Sequence, residues 1–203
     1  LYSSAASDVY KRQHKLRSKS IKAIENQVQT ELTELNMPGA KFDISITNKP
    51  DQNSPILFED NGISIGPKGY DQVEFFFSAN PGENPKPLIK IASGGEVSRI
   101  MLAIKSVLKK SDPVGTLVFD EIDTGISGKA AESVADQLVN LSNSKQVLCI
   151  THLSQIAGRA DHHLHITKSS NNGKTKVFAE YLTAQERPQV IRDLFIGSDM
   201  VNA

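Results

Sequence analysis

The sequence predicts an α/β fold entered through one long amphipathic helix, and three observations carry that prediction. Apolar residues return at three- and four-residue steps in several separate stretches. Two apolar strands, Thr116 to Phe119 and Gln146 to Ile150, alternate with the later helices. Both strands end in polar pairs, Asp120-Glu121 and Thr151-His152, at the tips where α/β proteins place their sites.

Composition bounds the function. The 203 residues suffice for one or two domains with a real core. Lys plus Arg is 23 and Asp plus Glu is 23, so no strongly basic nucleic-acid surface is expected from net charge. A single cysteine, Cys149, excludes a disulfide framework or a Cys-rich zinc site and fits a reducing, cytoplasmic setting. No apolar run approaches the roughly 18 residues of a membrane span, and no signal-peptide pattern is present.

The chain opens on Leu1, and residues 1–13 (LYSSAASDVYKRQ) share no apolar periodicity with the helical stretch after them. They resemble translated linker tails at the ends of environmental reading frames and are read as a non-native linker. Gly197 to Ala203 come after an apolar segment without terminating logic, so truncation at both ends is expected.

From Lys15 to Leu35, Ile21, Ile24, Val28, Leu32 and Leu35 draw one narrow stripe on a polar helix, suited to a single partner helix as in a coiled coil. Pro38-Gly39 ends it. Phe42, Ile44 and Ile46 alternate with polar residues, predicting a half-buried strand. Asn48 to Asn61 and Gly62 to Gly69 read as turn-rich excursions, Val73 to Ala79 as a second strand, and Asn80 to Pro87 as a loop. Val97, Ile100, Met101, Ile104 and Leu108 form a broad helical face. Thr116 to Phe119 has the unbroken character of a strand buried on both sides. Ala130, Ala131, Val134, Leu138 and Leu141 make another helix before the strand ending at Ile150. His163 to Thr167 and Lys176 to Leu182 form an antiparallel pair around Asn171-Asn172-Gly173, and a short helix closes from Pro188 to Phe195.

Three short motifs carry chemistry. Ser93-Gly94-Gly95-Glu96 satisfies a capping box, with Ser93 as N-cap and Glu96 reaching back to its amide. A well-capped helix would account for that much. Two adjacent glycines point further, because they cost helix stability and let a ligand approach bare amides at a helix start. At the next strand tip, Asp120 suits Mg²⁺ held through water, and Glu121 suits orienting and deprotonating a water that attacks a phosphate. His152, as a neutral imidazole, would hydrogen-bond a γ-phosphate. Each motif alone is also met in purely structural settings.

Other features carry less. His162, His163 and His165 invite a metal reading, but alternating positions without nearby cysteines favour a solvated strand. Gly173-Lys174-Thr175 mimics a phosphate loop, yet Lys168 stands where its first glycine belongs, and no G-x-x-x-x-G-K-[ST] occurs anywhere. Lys11, Arg12, Lys15, Arg17, Lys19 and Lys22 read as a solvated face.

In their order and spacing the three motifs resemble the second half of an ABC-type ATPase head, and more closely the RecN family of SMC-like DNA repair ATPases. The matching text is Lys90 to Arg99, then Phe119 to Gly128, then Ile150 to Leu153. The resemblance implies the carboxy-terminal lobe of an ABC/SMC-type P-loop head over residues 38–203, with residues 14–37 as a returning coiled-coil arm helix and the Walker A lobe preceding residue 1. It implies a signature of Ser93, Gly94, Gly95 and Glu96 that binds ATP in trans, and a D-loop region with Asp123, Thr124 and Ser127. It assigns Glu121 and His152 to catalysis and Asp120 to Mg²⁺. The signature would thus face a partner's ATP, while Asp120, Glu121 and His152 serve the chain's own. ATP and Mg²⁺ are the implied cofactors. The implied partners are DNA, reached through the complete protein, and a second copy in an ATP-sandwiched homodimer, with no membrane. The implied work is recombinational repair of double-strand breaks in the bacterial cytoplasm, at the nucleoid. The chain alone would be inactive as an ATPase.

Some residues depart from the general ABC pattern. Ala92 stands for a leucine, Ile122 for a proline, and Ser127 for the D-loop aspartate, leaving Asp123 or Ser127 to bridge subunits. Those departures argue against the first alternative, a transporter's nucleotide-binding subunit. Intact Glu121 and His152 argue against the second, a degenerate binding module.

Overall fold

The computed structural model describes residues 4–54, 56–58, 61–91, 93–171 and 174–196. The chain divides into two units, Leu1–Ser93 and Gly94–Ala203. The division falls at the signature rather than at the expected arm–head boundary of 37/38.

The first unit is led by helix α1, Ser4–Glu34. It runs unbroken across the expected 13/14 boundary, and Tyr10 packs on Tyr70 with ring centroids 6.2 Å apart. Val28, Leu32 and Leu35 of the predicted stripe are buried. The helix stops before Pro38: Asn36 takes a left-handed φ of 62°. The Met37 amide then donates to Leu32 O at 2.9 Å and the Asn36 amide to Thr33 O at 3.1 Å, the paired bonds of a Schellman stop.

Strands β1, Lys41–Asn48, and β4, Asp71–Ser78, pair antiparallel with Phe42 opposite Phe77 and Ile44 opposite Phe75. Between them lies a two-residue pair, β2 (Leu57–Phe58) with β3 (Asn61–Gly62), beside a small core of Ile56, Ile63 and Tyr70. The expected loop 80–87 ends in β5, Lys86–Pro87, which pairs with β4. Proline is tolerated there because a short edge strand asks few amides of it. Helix α1 closes the other edge, where Glu25 Oε1 accepts the Ile44 amide at 2.9 Å. Arg17, expected to be solvated, instead donates to Asp71 at 2.9 Å and to Lys68 O at 3.1 Å.

In the second unit, α2 (Gly94–Leu108) is followed by β6 (Thr116–Phe119), α3 (Gly128–Ser142) and β7 (Gln146–Cys149). β6 and β7 are parallel, with Val118 opposite Leu148 and Phe119 opposite Cys149. The predicted stripe Ala130, Ala131, Val134, Leu138 and Leu141 is buried, together with Ile100, Leu102, Ala103, Leu117 and Phe119. Each large apolar side chain so covered contributes roughly 1.5–3 kcal/mol. Burial of β6 on both faces does not hold. Leu117 and Phe119 are covered, whereas Val118 is 64% exposed. An unbroken apolar run records what both faces favour, and the described residues cover one of them.

A one-turn helix α4 (Ser154–Ala157) leads to the hairpin β8 (Leu164–Asn171) and β9 (Lys174–Tyr181), whose register closes at Asn171 opposite Lys174. The turn residues Asn172 and Gly173 lie outside the described residues. Helix α5, Arg187–Ile196, begins one residue before its expected start. Among the described residues no helix is long and apolar enough to cross a membrane.

Candidate functional site

Helix α2 begins at Gly94, the residue after Ser93, where the capping box places its start. Ala92, one of the three departures from the ABC pattern, lies outside the described residues. One turn into α2, two side chains hold the acidic turn after β6. Ser98 Oγ donates to Asp120 O at 2.7 Å, and Arg99 Nη1 donates to Ile122 O at 3.2 Å and Thr124 O at 2.9 Å. Three alternate carbonyls of residues 120–124 are thereby fixed to one helix. Arg99 is 7% exposed, and burial pulls its guanidinium below the usual range while Glu96 works against that shift. Sequence reasoning missed Arg99. Its signal was a cation set beside Ile100 on an otherwise apolar helix face.

The two glycines have a reason within the chain. A Cβ on Gly95 would meet Thr124 Cβ at 2.9 Å and the carbonyls of Glu121 and Thr124 at 3.1 Å. A Cβ on Gly94 would meet Glu121 Oε2 at 2.0 Å. The acidic turn therefore lies directly against the start of α2, and the Glu121 carboxylate rests at Gly94. Ser98 and Arg99 hold the acidic turn against this helix start. Glu121 itself adopts φ 57°, the left-handed region that costs a β-carbon residue roughly 1–3 kcal/mol. The Asp120 Oδ1 acceptor takes its amide at 2.9 Å, which steadies that conformation.

Asp120, Glu121 and His152 are exposed, side by side at the tips of β6 and β7. Asp123 is not: it is 4% exposed. Its Oδ2 accepts from Thr151 Oγ1 at 2.6 Å, from the His152 amide at 2.9 Å, and lies 3.0 Å from His152 Nδ1. Of the two residues expected to bridge subunits, Asp123 is thus engaged within its own chain, and Ser127 is the exposed one. Ser127 precedes α3 without a side-chain capping bond. Cys149, one residue before the end of the apolar run, has its thiol pushed up to about 12 by burial first and then by Asp123 and Asp120.

The residues present fit part of a nucleotide site. Asp120 offers the hard oxygen that Mg²⁺ takes, with one carboxylate oxygen holding the Glu121 amide. The motif of a loop that cradles the β- and γ-phosphates, G-x-x-x-x-G-K-[ST], does not occur in the sequence. The three clustered histidines do not gather: His163 Nε2 lies 2.5 Å from Ala157 O. Among the described residues no group of three or more His, Cys, Asp or Glu could hold a metal ion.

No protein-family model matches the chain. Among curated proteins, it is 43% identical over 175 residues to the DNA repair protein RecN of Treponema pallidum, covering 86% of this chain and 29% of that protein. It is 37% identical over 192 residues to the DNA repair protein RecN of Bacillus subtilis, covering 92% of this chain and 33% of that one. The chain thus spans about a third of the length of these relatives. Among solved structures, the Smc head domain with a coiled coil and joint from Pyrococcus yayanosii aligns with a TM-score of 0.57 at 20% identity, over 93% of this chain and 32% of its own. The Smc head domain with an extended coiled coil from Pyrococcus furiosus, solved bound to the C-terminal domain of ScpA, aligns with a TM-score of 0.54 at 21% identity, over 93% and 42%. The fold is therefore the α/β lobe of an ABC/SMC-type head with its preceding helix.

Proposed function

The chain belongs to the RecN family over the segment it spans, and from that premise we propose that it supplies the second lobe of an SMC-like ATPase head in DNA repair. The observation that carries the reading is the meeting of an exposed acidic pair, an exposed histidine and a glycine-led helix start at one end of the β6–α3–β7 unit. The relatives' shared name, DNA repair protein, weighs against the transporter alternative.

In the complete protein, Ser93, Gly94, Gly95 and Glu96 receive the γ-phosphate of an ATP held by a second head. Asp120 would hold Mg²⁺, Glu121 takes a proton from the attacking water, and His152 reads the γ-phosphate of the chain's own nucleotide. Bound Mg²⁺ supplies neutralisation of the phosphoryl oxygens. Because the Glu121 carboxylate rests on Gly94 in the single chain, nucleotide entry at the start of α2 displaces it. Binding then closes the head dimer, hydrolysis releases it, and the cycle drives recombinational repair of double-strand breaks in the bacterial cytoplasm. Residues 14–37 serve as the arm helix and 38–203 as the head.

The decisive experiment replaces Glu121 with Gln in the complete protein. ATP hydrolysis falls at least about 100-fold while nucleotide binding persists, and unchanged turnover would overturn the ATPase reading. The 203-residue chain alone hydrolyses no ATP. Turnover by it would overturn the two-lobe assignment.

A further inference from the structure

We propose that Asp123 is the positioning residue of His152, holding its ring in the Nδ1–H tautomer and aiming Nε2 outward. The inference deepens the reading of His152 given above and rests on it only for the consequence to ATP turnover.

The geometry leaves few alternatives. The Asp123 carboxylate is buried at 4% exposure, and two donors bond its Oδ2, Thr151 Oγ1 at 2.6 Å and the His152 amide at 2.9 Å, while His152 Nδ1 lies 3.0 Å from the same oxygen. A carboxylate oxygen at that distance attracts a proton on Nδ1 and repels a bare Nδ1 lone pair, so it favours the Nδ1–H ring. Thr151 spends its hydroxyl proton on Asp123 and accepts the Leu153 amide at 3.0 Å. Strand tip and carboxylate are therefore one hydrogen-bonded unit, with the ring nitrogen close against it. That unit is anchored from behind, since Arg99 holds the carbonyls on either side of Asp123, those of Ile122 and Thr124. The ring itself is 74% exposed, so Nε2 is the atom offered to a ligand.

The tautomer changes the chemistry expected of His152. A neutral ring with its proton on Nδ1 presents only a lone pair at Nε2, which a phosphate oxygen repels. A hydrogen bond from His152 to a phosphate then requires the doubly protonated ring, whose charge the Asp123 carboxylate offsets. A helix-to-histidine linkage also emerges: α2, through Arg99 and the 122–124 backbone, sets the atom that faces the nucleotide.

Two measurements test this. The 203-residue chain, isotope-labelled in its histidines, is examined by two-bond nitrogen–proton couplings, with His152 assigned by its loss in H152Q. The neutral ring is expected as the Nδ1–H form, and a predominant Nε2–H form would overturn the proposal without reference to ATP. In the complete protein, Asp123→Ala and His152→Ala each lower kcat for ATP by about ten- to a hundredfold with KM changed less than about twofold. The double variant is no worse than the poorer single one, because one residue acts through the other. Additive losses, or a loss confined to His152→Ala, would overturn it. Should Asp123→Ala fail to fold, the tautomer of the unaltered chain still decides. An active Glu121→Gln protein would sink the ATPase reading alone and leave the tautomer result standing.

Discussion

Each unit buries a charged side chain against a helix, Asp71 in the first and Arg99 in the second, and the two solve the problem in opposite ways. In the first, the Asp71 carboxylate, 1% exposed, meets His14 at 2.6 Å and Arg17 at 2.9 Å, partners that keep 24% and 31% of their own surface in water. In the second, Arg99, 7% exposed, donates from its guanidinium to two backbone carbonyls. The first is an attraction between charges that solvent and salt can reach. The second is a clamp in which a cation satisfies dipoles, and what it fixes is the shape of a turn. A helix joined by an ion pair is tethered, whereas a helix joined by carbonyls dictates geometry. That is the difference expected between a supporting contact and one that sets a site.

Removing the clamp gives the largest effect. Arg99→Met leaves the carbonyls of Ile122 and Thr124 without their donor, each worth about 1–3 kcal/mol when stranded, so urea denaturation of the chain should show a loss of about 2–6 kcal/mol. Raising salt to about 1 M, where charges separated by more than about 3 Å are screened, leaves that loss unchanged. Asp71→Ala comes next. His14 and Arg17 regain water, so the loss is about 1.5–3 kcal/mol at low salt and shrinks as salt rises. If the two losses respond to salt alike, the contrast between tether and clamp is broken.

The glycine pair sharpens the same contrast at smaller scale. Gly95→Ala drives a Cβ against Thr124 Cβ and the carbonyls of Glu121 and Thr124, the latter held by Arg99, and should cost about 1–3 kcal/mol. Gly94→Ala meets only the end of the Glu121 side chain, which can swing away, so stability changes by less than about 1 kcal/mol. The measurement is again urea denaturation of both variants. A larger cost at Gly94 than at Gly95 would mean that the turn, not the carboxylate, yields.

What the sequence made legible is what depends on local spacing. The α3 stripe from Ala130 to Leu141, the start of α2 after Ser93 and the two strand tips all appear where periodicity and capping place them. What it hid depends on contacts far apart in the chain. The Asp123–Thr151 bond joins residues 28 apart and Arg99–Thr124 joins residues 25 apart, and no window of pattern contains either. Glu121 shows the same limit, since its left-handed backbone comes from the packing of the turn on α2, and glutamate carries no preference for it. Gly94 and Gly95 show a subtler one. Their presence signalled a close approach correctly, but the chain's own turn makes that approach, and a ligand reading fitted the letters equally well.

The smallest effect is expected at Cys149, and it tests how closed the site is on its inner side. Burial, then Asp123, then Asp120 push the thiol up to about 12, so the folded chain carries essentially no thiolate at neutral pH. Unfolded, the thiol returns to the ordinary range near about 8.5. Because the folded value is the higher, the unfolded chain releases this proton first, and stability is intact below about 8.5 and declines as pH rises toward 12. Alkylation should accordingly be far slower for the native chain than for the chain in urea, and Asp123→Asn, which removes one of the two nearby negative charges, should quicken it modestly. Equal rates in the native and unfolded chain would mean that the core beneath His152 opens freely. The hydrogen-bonded unit of Asp123, Thr151 and His152 would then be too loose to aim the ring.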